Sequence, residues 1–519
     1  MDIYHHYKPL RNHLKSFSLQ NSLIDIWSVS NHIVENMPLL QHIKFSEKSG
    51  KPISTRNPPW KIFPWELETL ARELIINAEN TIGNRFSRIQ PLTKSIQIIR
   101  DIENEISKNE IKEKGDKYNV LDETHRLSHR QIIFQQPLTT RRITRYFKIF
   151  SHPALAQIVE DKVKMTVTQF LQLGYAVSGN FLTNWGINAS QSYEHLGISK
   201  EQSDGFYNLI SIPLSTLKND LIKKSSMDRD WLYTVNPLEA RPLLALSNEQ
   251  PEQLICPIPI FLIRRITSGL YYDLYSHNKF ANPFGTAFQD YIGSVIEYSL
   301  RNKEYNLLPE KKYILNKKTK DGMDWILFDN TANLFIECKT KRLPHSEKYL
   351  LIKNELDEQL DVLAKAIHQN YANISDSLNG HTHWENNNLP SYSVITTLEQ
   401  WFQISPTLLT RLQELVKKRL NESGINENIL DRVPYIVCSA EEFEDICYAI
   451  KSDGIENVFS KLTSKDHFAW SVSGIISQNF KNLNLRELFI EDFQSLLSSI
   501  LNENTAASRH IGDAFTAAQ

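Results

Sequence analysis

Three residues whose chemistry could act together lie close in the sequence. The stretch KTKDGMDWILFDNTANLFIECKTKRL, residues 318 to 343, contains two short apolar runs, and these runs carry Asp324, Glu337 and Lys339. Apolar runs of this length on either side of turn residues are typical of the two strands of a β-hairpin. An apolar strand has no structural need for carboxylates and an amine, so we treat the three residues as a candidate site.

The pairing of the two runs predicts which residues share a face. With NTAN as a four-residue loop, Asp329 would face Leu334 and Asp324 would face Lys339. Side chains alternate along a strand, so one face turns into the core. That face carries Trp325, Leu327, Leu334, Ile336 and Cys338. The other face carries Asp324, Ile326, Phe328, Phe335, Glu337 and Lys339. Cross-strand neighbours lie within side-chain reach, so the three charged residues are expected to converge at the end away from the turn.

Two carboxylates and a lysine in this arrangement suit metal-assisted hydrolysis of a phosphodiester. Carboxylate oxygens of Asp324 and Glu337 are ligands that Mg²⁺ prefers, and Mn²⁺ could take its place. The carbonyl of Cys338 is a further candidate ligand. A bound metal ion lowers the pKa of its water and neutralises charge that develops on phosphate. Lys339 could orient the attacking water or stabilise the transition state.

The spacing of these residues resembles that of the PD-(D/E)XK nuclease superfamily. Twelve residues separate Asp324 from Glu337-Cys338-Lys339, and the form IECK is common in that family. The resemblance covers residues 275 to 455 and implies an α/β, restriction-endonuclease-like domain, a mixed sheet flanked by helices. One helix usually precedes the Asp strand and another follows the E-x-K strand. Met323 stands where the family motif has proline.

The resemblance also implies supporting residues on the two helices. The helix predicted at 284 to 300 carries Gln289 where many members have a metal-ligating Glu, and Asp290 or Glu297 could substitute for it. The helix predicted after the hairpin holds Lys365 and Gln369, which are similar to the family's fourth motif.

Length and composition bound the class of protein. The chain has 519 residues, of which 41% are hydrophobic, enough for a large core and two to four domains. The net charge of −2 gives no general attraction for nucleic acid, so any such binding must come from local basic patches. The cysteines form no CxxC pair and are expected to be buried thiols in a reducing compartment. These are Cys256, Cys338, Cys438 and Cys447.

The pattern of apolar residues divides the chain into regions. Residues 1–250 have mainly helical spacing and predict an accessory or recognition region. In residues 255–455 short apolar runs such as CPIPIFLI and YSVITTL alternate with helical patterns, which predicts strands interleaved with helices and the nuclease-like domain. A C-terminal helical segment is expected at 456–503 and a disordered tail at 504–519. We find no secretory signal and no run near 18 apolar residues, and we expect a cytoplasmic protein without a membrane span.

Two groups of basic residues are candidates for binding nucleic acid. Lys341 and Arg342 directly follow the candidate site, where they could hold a phosphate backbone. The segment TTRRITRYFKIF mixes Arg141, Arg142 and Arg145 with aromatic residues, a combination that can bind phosphates and stack on bases. The alternative for this segment is an amphipathic helix with a solvated basic side.

The sequence therefore favours a metal-dependent nuclease that acts on nucleic acid, DNA more than RNA. The segment PWELETLARELI is similar to segments of uncharacterised bacterial proteins of phage-defence islands, which implies antiviral defence and a phage-derived trigger. Two alternatives stay open: a nuclease that cleaves RNA, including tRNA, and a non-catalytic sensor or interaction protein with a nuclease fold. The neutral Gln289 favours the non-catalytic alternative, and the oligomeric state is left open.

Overall fold

The chain folds into a mixed α/β structure that is 61% helical. A computed structural model describes residues 2–44, 61–79, 83–115, 120–135, 139–340, 342, 353–401, 406–480, 483 and 488–501. The tail predicted at 504–519 and the candidate residue Lys341 lie outside this part of the chain. In the described residues, no helix has the length and apolar character needed to cross a membrane.

Helices make up most of the described chain. In order they are α1 (Tyr4–Leu14), α2 (Leu19–Glu35), α3 (Pro64–Asn77), α4 (Ile89–Lys114), α5 (Val120–Gln135), α6 (Thr140–Phe150), α7 (Pro153–Val163), α8 (Val167–Thr183), α9 (Lys200–Ile210), α10 (Leu214–Lys224), α11 (Pro259–Ile266), α12 (Leu270–Leu274), α13 (Ala281–Leu300), α14 (Lys353–Leu378), α15 (Pro406–Glu422), α16 (Ile429–Arg432), α17 (Ala440–Leu462), α18 (Val472–Asn479) and α19 (Ile490–Leu501).

Within the residues that the structure describes, the strands are short and form three sheets. They are β1 (Gly186–Asn188), β2 (Ser211–Pro213), β3 (Leu243–Ala245), β4 (Gln253–Ile255), β5 (Asn306–Pro309), β6 (Tyr313–Leu315), β7 (Lys318–Lys320), β8 (Trp325–Phe328), β9 (Asn333–Lys339), β10 (Ser391–Thr397) and β11 (Tyr435–Ser439). A small sheet has the order β1-β4-β3-β2, a larger one has the order β11-β10-β9-β8-β5, and β6 pairs with β7 alone.

The larger sheet carries the residues singled out by the sequence. Strands β5, β8 and β9 form an antiparallel meander, whereas β9, β10 and β11 run parallel. Helices α13 and α17 pack on one face of this sheet, and α14, with α15 packed against it, covers the other. The predicted mixed sheet flanked by helices is therefore present, with one helix before β8 and another after β9.

The first half of the chain is mainly helical, as expected, but two details differ from the predictions. The small sheet was not predicted, because three-residue strands are too short to show an alternating pattern. The run CPIPIFLI, predicted as a strand, instead begins helix α11 at Pro259. A proline in the first helical turn loses no helical hydrogen bond and has a suitable φ angle, so the apolar run continues as a helix.

The largest hydrophobic core crosses the boundary predicted near residue 250. Its buried members include Ile143 and Phe170 from the first half of the chain and Leu334 and Phe459 from the second. A second core lies within α1–α4 and residues 212 to 261, and a third lies between the sheet and α14–α15. The predicted domain boundaries stay predictions, but the sheet shares its main core with helices that precede it.

Helix α13 is joined to the sheet through Trp325, the first residue of β8. The indole Nε1 of Trp325 donates a hydrogen bond to the carbonyl oxygen of Gln289, at 2.9 Å. The ring lies against Gly293, where an added Cβ atom would overlap it. Glycine at this position therefore allows the ring, and with it the beginning of β8, to approach the helix backbone.

We predict that Gly293→Ala destabilises the protein even though alanine favours helices. Forcing a methyl group into this contact should cost about 1–3 kcal/mol, which exceeds the helix propensity gain of about 1 kcal/mol. Gly285→Ala in the same helix is the matched control, because a Cβ atom there meets nothing within 4 Å. Urea unfolding should give a lower midpoint for Gly293→Ala and an equal or higher one for Gly285→Ala. Equal midpoints for the two variants would contradict the packing argument.

Candidate functional site

The hairpin predicted from the sequence is present, but its register differs by two residues. Trp325 pairs with Ile336 and Phe328 with Asn333, so the register continued by one position places Asp324 opposite Glu337 rather than Lys339. An even shift leaves every side chain on its predicted face. Leu327, Leu334 and Ile336 lie in the main core, and Ile326 and Phe335 lie in the core under α14.

The shift arises from the side chain of Asp329 at the turn. Its Oδ1 accepts hydrogen bonds from the backbone N–H groups of Thr331 and Ala332, at 2.7 and 3.0 Å. The N–H of Asp329 also donates to the carbonyl of Ala332, at 3.2 Å, so only Asn330 and Thr331 remain in the loop. Asp329 Oδ2 accepts from the N–H of Ile455, at 3.0 Å, beyond the kink that Gly454 makes in α17. Asp329 therefore fixes both the turn and the position of the hairpin against α17.

The three candidate residues come together at the other end of the hairpin. Asp324 Oδ2 accepts a hydrogen bond from the backbone N–H of Cys338, at 2.6 Å, which holds the carboxylate beside β9. The ammonium of Lys339 forms a hydrogen-bonded ion pair with Glu337 Oε1. Glu337 is 3% exposed, whereas Asp324 and Lys339 are half-buried, so the group opens to solvent on one side only.

The pKa values of this group are shifted because two carboxylates lie close together where little water reaches them. Burial and the negative charge of Glu337 raise the pKa of Asp324 to about 7, against the opposing effects of the Cys338 N–H and of Lys339. Burial also raises the pKa of Glu337, although Lys339 opposes this. Burial alone would lower the pKa of Lys339, but the two carboxylates outweigh it and the pKa rises. The lysine therefore carries a positive charge next to a concentrated negative one.

A third carboxylate, Glu310, belongs to the same group and was missed by the sequence analysis. Pro309 pairs with Trp325, so the register continued by one position places Glu310 opposite Asp324. Glu310, Asp324 and Glu337 thus form a row across β5, β8 and β9, which we call the carboxylate row, and it runs from an exposed to a buried residue. The charge of Glu310 contributes to the raised pKa values of Asp324 and Glu337. The signal in the sequence was weak, because the run before Glu310 is short and ends in proline.

Gln289 contacts the carboxylate row indirectly. Its side-chain Nε2 donates to Glu310 Oε2 at 3.3 Å, and its carbonyl accepts from Trp325. The position where the family resemblance implies a Glu therefore has an amide that touches a glutamate from a neighbouring strand. Helix α13 lacks the carboxylate that the resemblance implies, but Glu310 places a carboxylate next to that position.

The donor set of the carboxylate row fits a divalent cation. Mg²⁺ binds carboxylate oxygens and needs only one or two from the protein, because it keeps several waters. Asp324 and Glu337 supply two such groups, and their mutual repulsion would be relieved by a cation. Among the described residues, no three His, Cys, Asp or Glu side chains already stand where they would hold a metal ion together. Binding would therefore need a movement of the Glu337 or Glu310 side chain, or oxygens from water and phosphate.

The other predicted supporting residues lie apart from the row. Asp290 is exposed on α13, and its Oδ2 is 2.9 Å from the imidazole Nε2 of His152. Glu297 is exposed two turns further along the same helix. Lys365 and Gln369 are both exposed on α14. Their predicted roles toward the site or the substrate stay predictions.

The prediction that all four cysteines are buried thiols holds for three of them. Cys256, Cys438 and Cys447 are buried and free, whereas Cys338 is free but only half-buried. Burial raises the pKa of the Cys338 thiol well above its usual range, so its side chain is neutral. The role of its carbonyl as a ligand stays a prediction.

The arginines of α6 do not form the nucleic-acid surface predicted for them. Arg141, Arg142 and Arg145 are 8%, 8% and 2% exposed, because α6 packs its basic side against acidic residues of α17. Arg145 Nε and Nη2 donate to Glu444 at 2.6 and 2.8 Å, and Arg142 Nη2 donates to Glu441. The prediction was wrong because the acidic partners lie some 300 residues away in sequence and in another predicted region.

Arg342 is also buried rather than free to hold a phosphate. It is 6% exposed, its Nη1 lies 3.2 Å from Glu399 Oε1, and its guanidinium stacks over the ring of Tyr271 at 4.0 Å. Arg342 therefore helps to pack α12 against the end of the sheet, and its predicted contact with nucleic acid is corrected.

A comparison with protein-family models, with curated proteins and with solved structures found no match to this chain. What the site can do is therefore argued from the residues and their geometry.

The cluster between α6 and α17 generates a prediction about stability. Arg145→Ala would leave Glu444 buried with part of its partners removed, and breaking a buried pair of this kind costs about 3–5 kcal/mol. Lys148→Ala on the same helix is the control, because Lys148 makes a partly exposed pair with Asp492 worth about 1 kcal/mol or less. Thermal unfolding should show a large loss for Arg145→Ala and a small one for Lys148→Ala. Comparable losses would argue against the buried cluster.

Proposed function

We propose that the chain is a metal-dependent nuclease that hydrolyses phosphodiester bonds of nucleic acid, DNA in the first place. The observation that carries this proposal is the meeting of Asp324, Glu337 and Lys339 on one face at one end of β8 and β9, with Glu310 completing the carboxylate row. A row of carboxylates that runs into the protein interior weakens the fold unless something compensates its charge. Binding of a cation would explain why the chain keeps these carboxylates in spite of the stability that they cost.

The order of elements around the row also supports the proposal. Helix α13 precedes the strand of Asp324, and α14 follows the strand of Glu337 and Lys339, as in the PD-(D/E)XK nucleases that the motif resembles. The sheet is mixed, with helices on both faces. Gln289 replaces the Glu of the family motif, but it contacts Glu310, which would supply the missing carboxylate.

Each residue of the site then has a role. Asp324 and Glu337 would hold Mg²⁺ or Mn²⁺, which supplies a water of lowered pKa and neutralises charge on the phosphate. The Cys338 N–H keeps Asp324 oriented. Lys339 is held by Glu337 with its ammonium at the open side, where it can donate to the attacking water or to a non-bridging phosphate oxygen.

The second candidate is a non-catalytic nuclease-fold protein that senses or binds a partner. Two observations favour it: Gln289 is neutral, and Lys339 already forms an ion pair with Glu337. The ion pair could then be purely structural. RNA, including tRNA, remains the alternative substrate, since the phosphodiester is the same.

Defence against phage is the proposed setting, with a phage-derived trigger. The shared core supports a part of this proposal, because α6 and α8 from the first half of the chain pack in the same core as the sheet. A conformational change in the helical first half of the chain would therefore alter the packing of the sheet. The proposed localisation is the cytoplasm.

We predict that cleavage requires Mg²⁺ or Mn²⁺ and is abolished by EDTA. Titration of the metal should show weak binding to the wild-type protein and weaker binding to Asp324→Asn. Asp204→Asn is the matched control, since it makes the same change on an exposed side chain of α9 that pairs with Lys200. Equal binding by the wild-type protein and by Asp324→Asn would place the metal elsewhere.

Lys339→Ala separates the enzyme from the non-catalytic alternative. If Lys339 stabilises the transition state, its removal should lower the cleavage rate by about 10²- to 10³-fold while the fold is kept. Lys223→Ala, an exposed position on α10, serves as the control for loss of one lysine. A cleavage assay on plasmid DNA and on total RNA should be combined with a melting curve. Normal cleavage by a folded Lys339→Ala variant would remove Lys339 from the mechanism.

A further inference from the structure

A small β-hairpin stands between two residues of the carboxylate row. Strands β6 and β7 follow Glu310 and precede Asp324 directly in the chain. Residues 311 to 320, KKYILNKKTK, include five lysines and no acidic residue. In a chain of net charge −2, this is a strong local concentration of positive charge.

The hairpin has a defined shape. Tyr313 pairs with Lys320 and Leu315 with Lys318, so Asn316 and Lys317 form a two-residue loop. Both loop residues have positive φ angles, 51° and 63°. Such a loop matches the twist of the strands and is the tight connection that hairpins favour. The tip therefore carries Lys317 and Lys318 on a backbone of defined conformation.

The hairpin is anchored on one side to α14. The hydroxyl of Tyr313 donates to Asp376 Oδ2 at 2.6 Å and also lies 3.0 Å from Asn373 Oδ1. Lys320 Nζ donates to the same Asp376 oxygen at 2.6 Å. A two-stranded hairpin has little stability of its own, so these contacts hold it in place.

The remaining lysines have no comparable role in the fold. In the described part of the chain, Lys311, Lys317 and Lys318 make no ion pair, and all three are exposed. Lys312 pairs with Asp321, and both side chains are more than 60% exposed, so this pair adds little stability. Clustered like charges repel each other, and so the fold alone gives no reason for this arrangement.

The base of the hairpin is coupled to the carboxylate row by a close backbone contact. A Cβ atom at Gly322 would lie 2.7 Å from the carbonyl oxygen of Lys311, so glycine is needed for the two chain segments to approach. One residue before Lys311 is Glu310, and two residues after Gly322 is Asp324. The contact therefore brings the two carboxylates to adjacent positions.

We propose that this hairpin binds the sugar-phosphate backbone of the nucleic acid whose phosphodiester enters the carboxylate row; the inference rests on the proposed function. The negatively charged row would repel a phosphate backbone, and the adjacent lysines compensate for that repulsion. A strand rises about 3.3 Å per residue, so the end of β6 at Leu315, next to the turn that carries Lys317, lies roughly 10 Å beyond Lys312, about the length of three nucleotides of one strand. The exposed Ile314, 74% accessible, lies on the face away from α14 and adds an apolar contact for sugar.

The test compares two triple variants of the full-length protein that lose the same charge. The hairpin variant is Lys312→Gln, Lys317→Gln and Lys318→Gln. The control variant is Lys223→Gln, Lys224→Gln and Lys417→Gln, at exposed positions on α10 and α15. Binding of a labelled DNA duplex and of a labelled RNA is measured by anisotropy in EDTA over a range of salt, with a melting curve for each variant. Cleavage is measured separately with Mg²⁺.

Loss of three phosphate contacts should reduce the slope of log affinity against log salt by about 2 to 3. Between about 50 and 200 mM salt, the factor by which affinity falls should therefore be roughly 40 times smaller for the hairpin variant than for the wild-type protein. The control variant should keep the wild-type slope. The nucleic acid that shows the change identifies whether DNA or RNA is the ligand.

The possible failures are distinguishable. If the wild-type protein cleaves and the hairpin variant keeps its affinity and slope on both nucleic acids, the hairpin inference is overturned and the proposed function stands. If the slope depends on the hairpin but Mg²⁺ gives no cleavage, the proposed function fails and the hairpin inference stands. If the wild-type protein binds neither DNA nor RNA, both are overturned.

Discussion

The strand β9 is subject to a constraint on which the rest of the larger sheet depends. It pairs with a strand on each side and is buried on both faces, so its residues have to be apolar or, like Asn333, fully hydrogen-bonded until it reaches the edge. Glu337 breaks that rule at 3% exposure, and a buried carboxylate is costly unless it is paired. Lys339, two residues further on the same face, supplies the pairing. Glu337 and Lys339 are therefore positioned by the strand itself.

A second constraint links this sheet to the helices that precede it. Glu444 on α17 accepts hydrogen bonds from Arg145 of α6 and from Tyr291 of α13, so one buried carboxylate joins three helices. Burial would raise the pKa of Glu441 nearby, but Arg142, Arg145 and Arg141 outweigh it and lower the pKa to about 2. These charges are neutralised only when α6 and α17 are together. The accessory helices are thus part of the scaffold that fixes the sheet.

The sequence was sufficient for the hairpin faces and not for their register. Side chains alternate with a period of two residues, so Asp324, Glu337 and Lys339 stay on one face for any register that differs from the predicted one by an even number of residues. The register itself depends on Asp329, whose side chain closes a shorter loop and also contacts α17, and no local pattern reveals that contact. Glu310 was missed for a similar reason, because its place beside Asp324 follows from the pairing of β5. The arginines of α6 were misassigned since their partners are remote in sequence.

The carboxylate row and the lysine hairpin are best understood as one unit of opposite charges. Repulsion between Glu310, Asp324 and Glu337 disfavours any anion at the site, yet a phosphodiester is an anion. A cation between the carboxylates would remove part of that repulsion, and the lysines on β6 and β7 would remove part of it from the flank. Gly322 connects the two, because its close approach to Lys311 lies between the base of the hairpin and the paired ends of β5 and β8. The same short stretch of chain therefore holds the lysines next to the carboxylates.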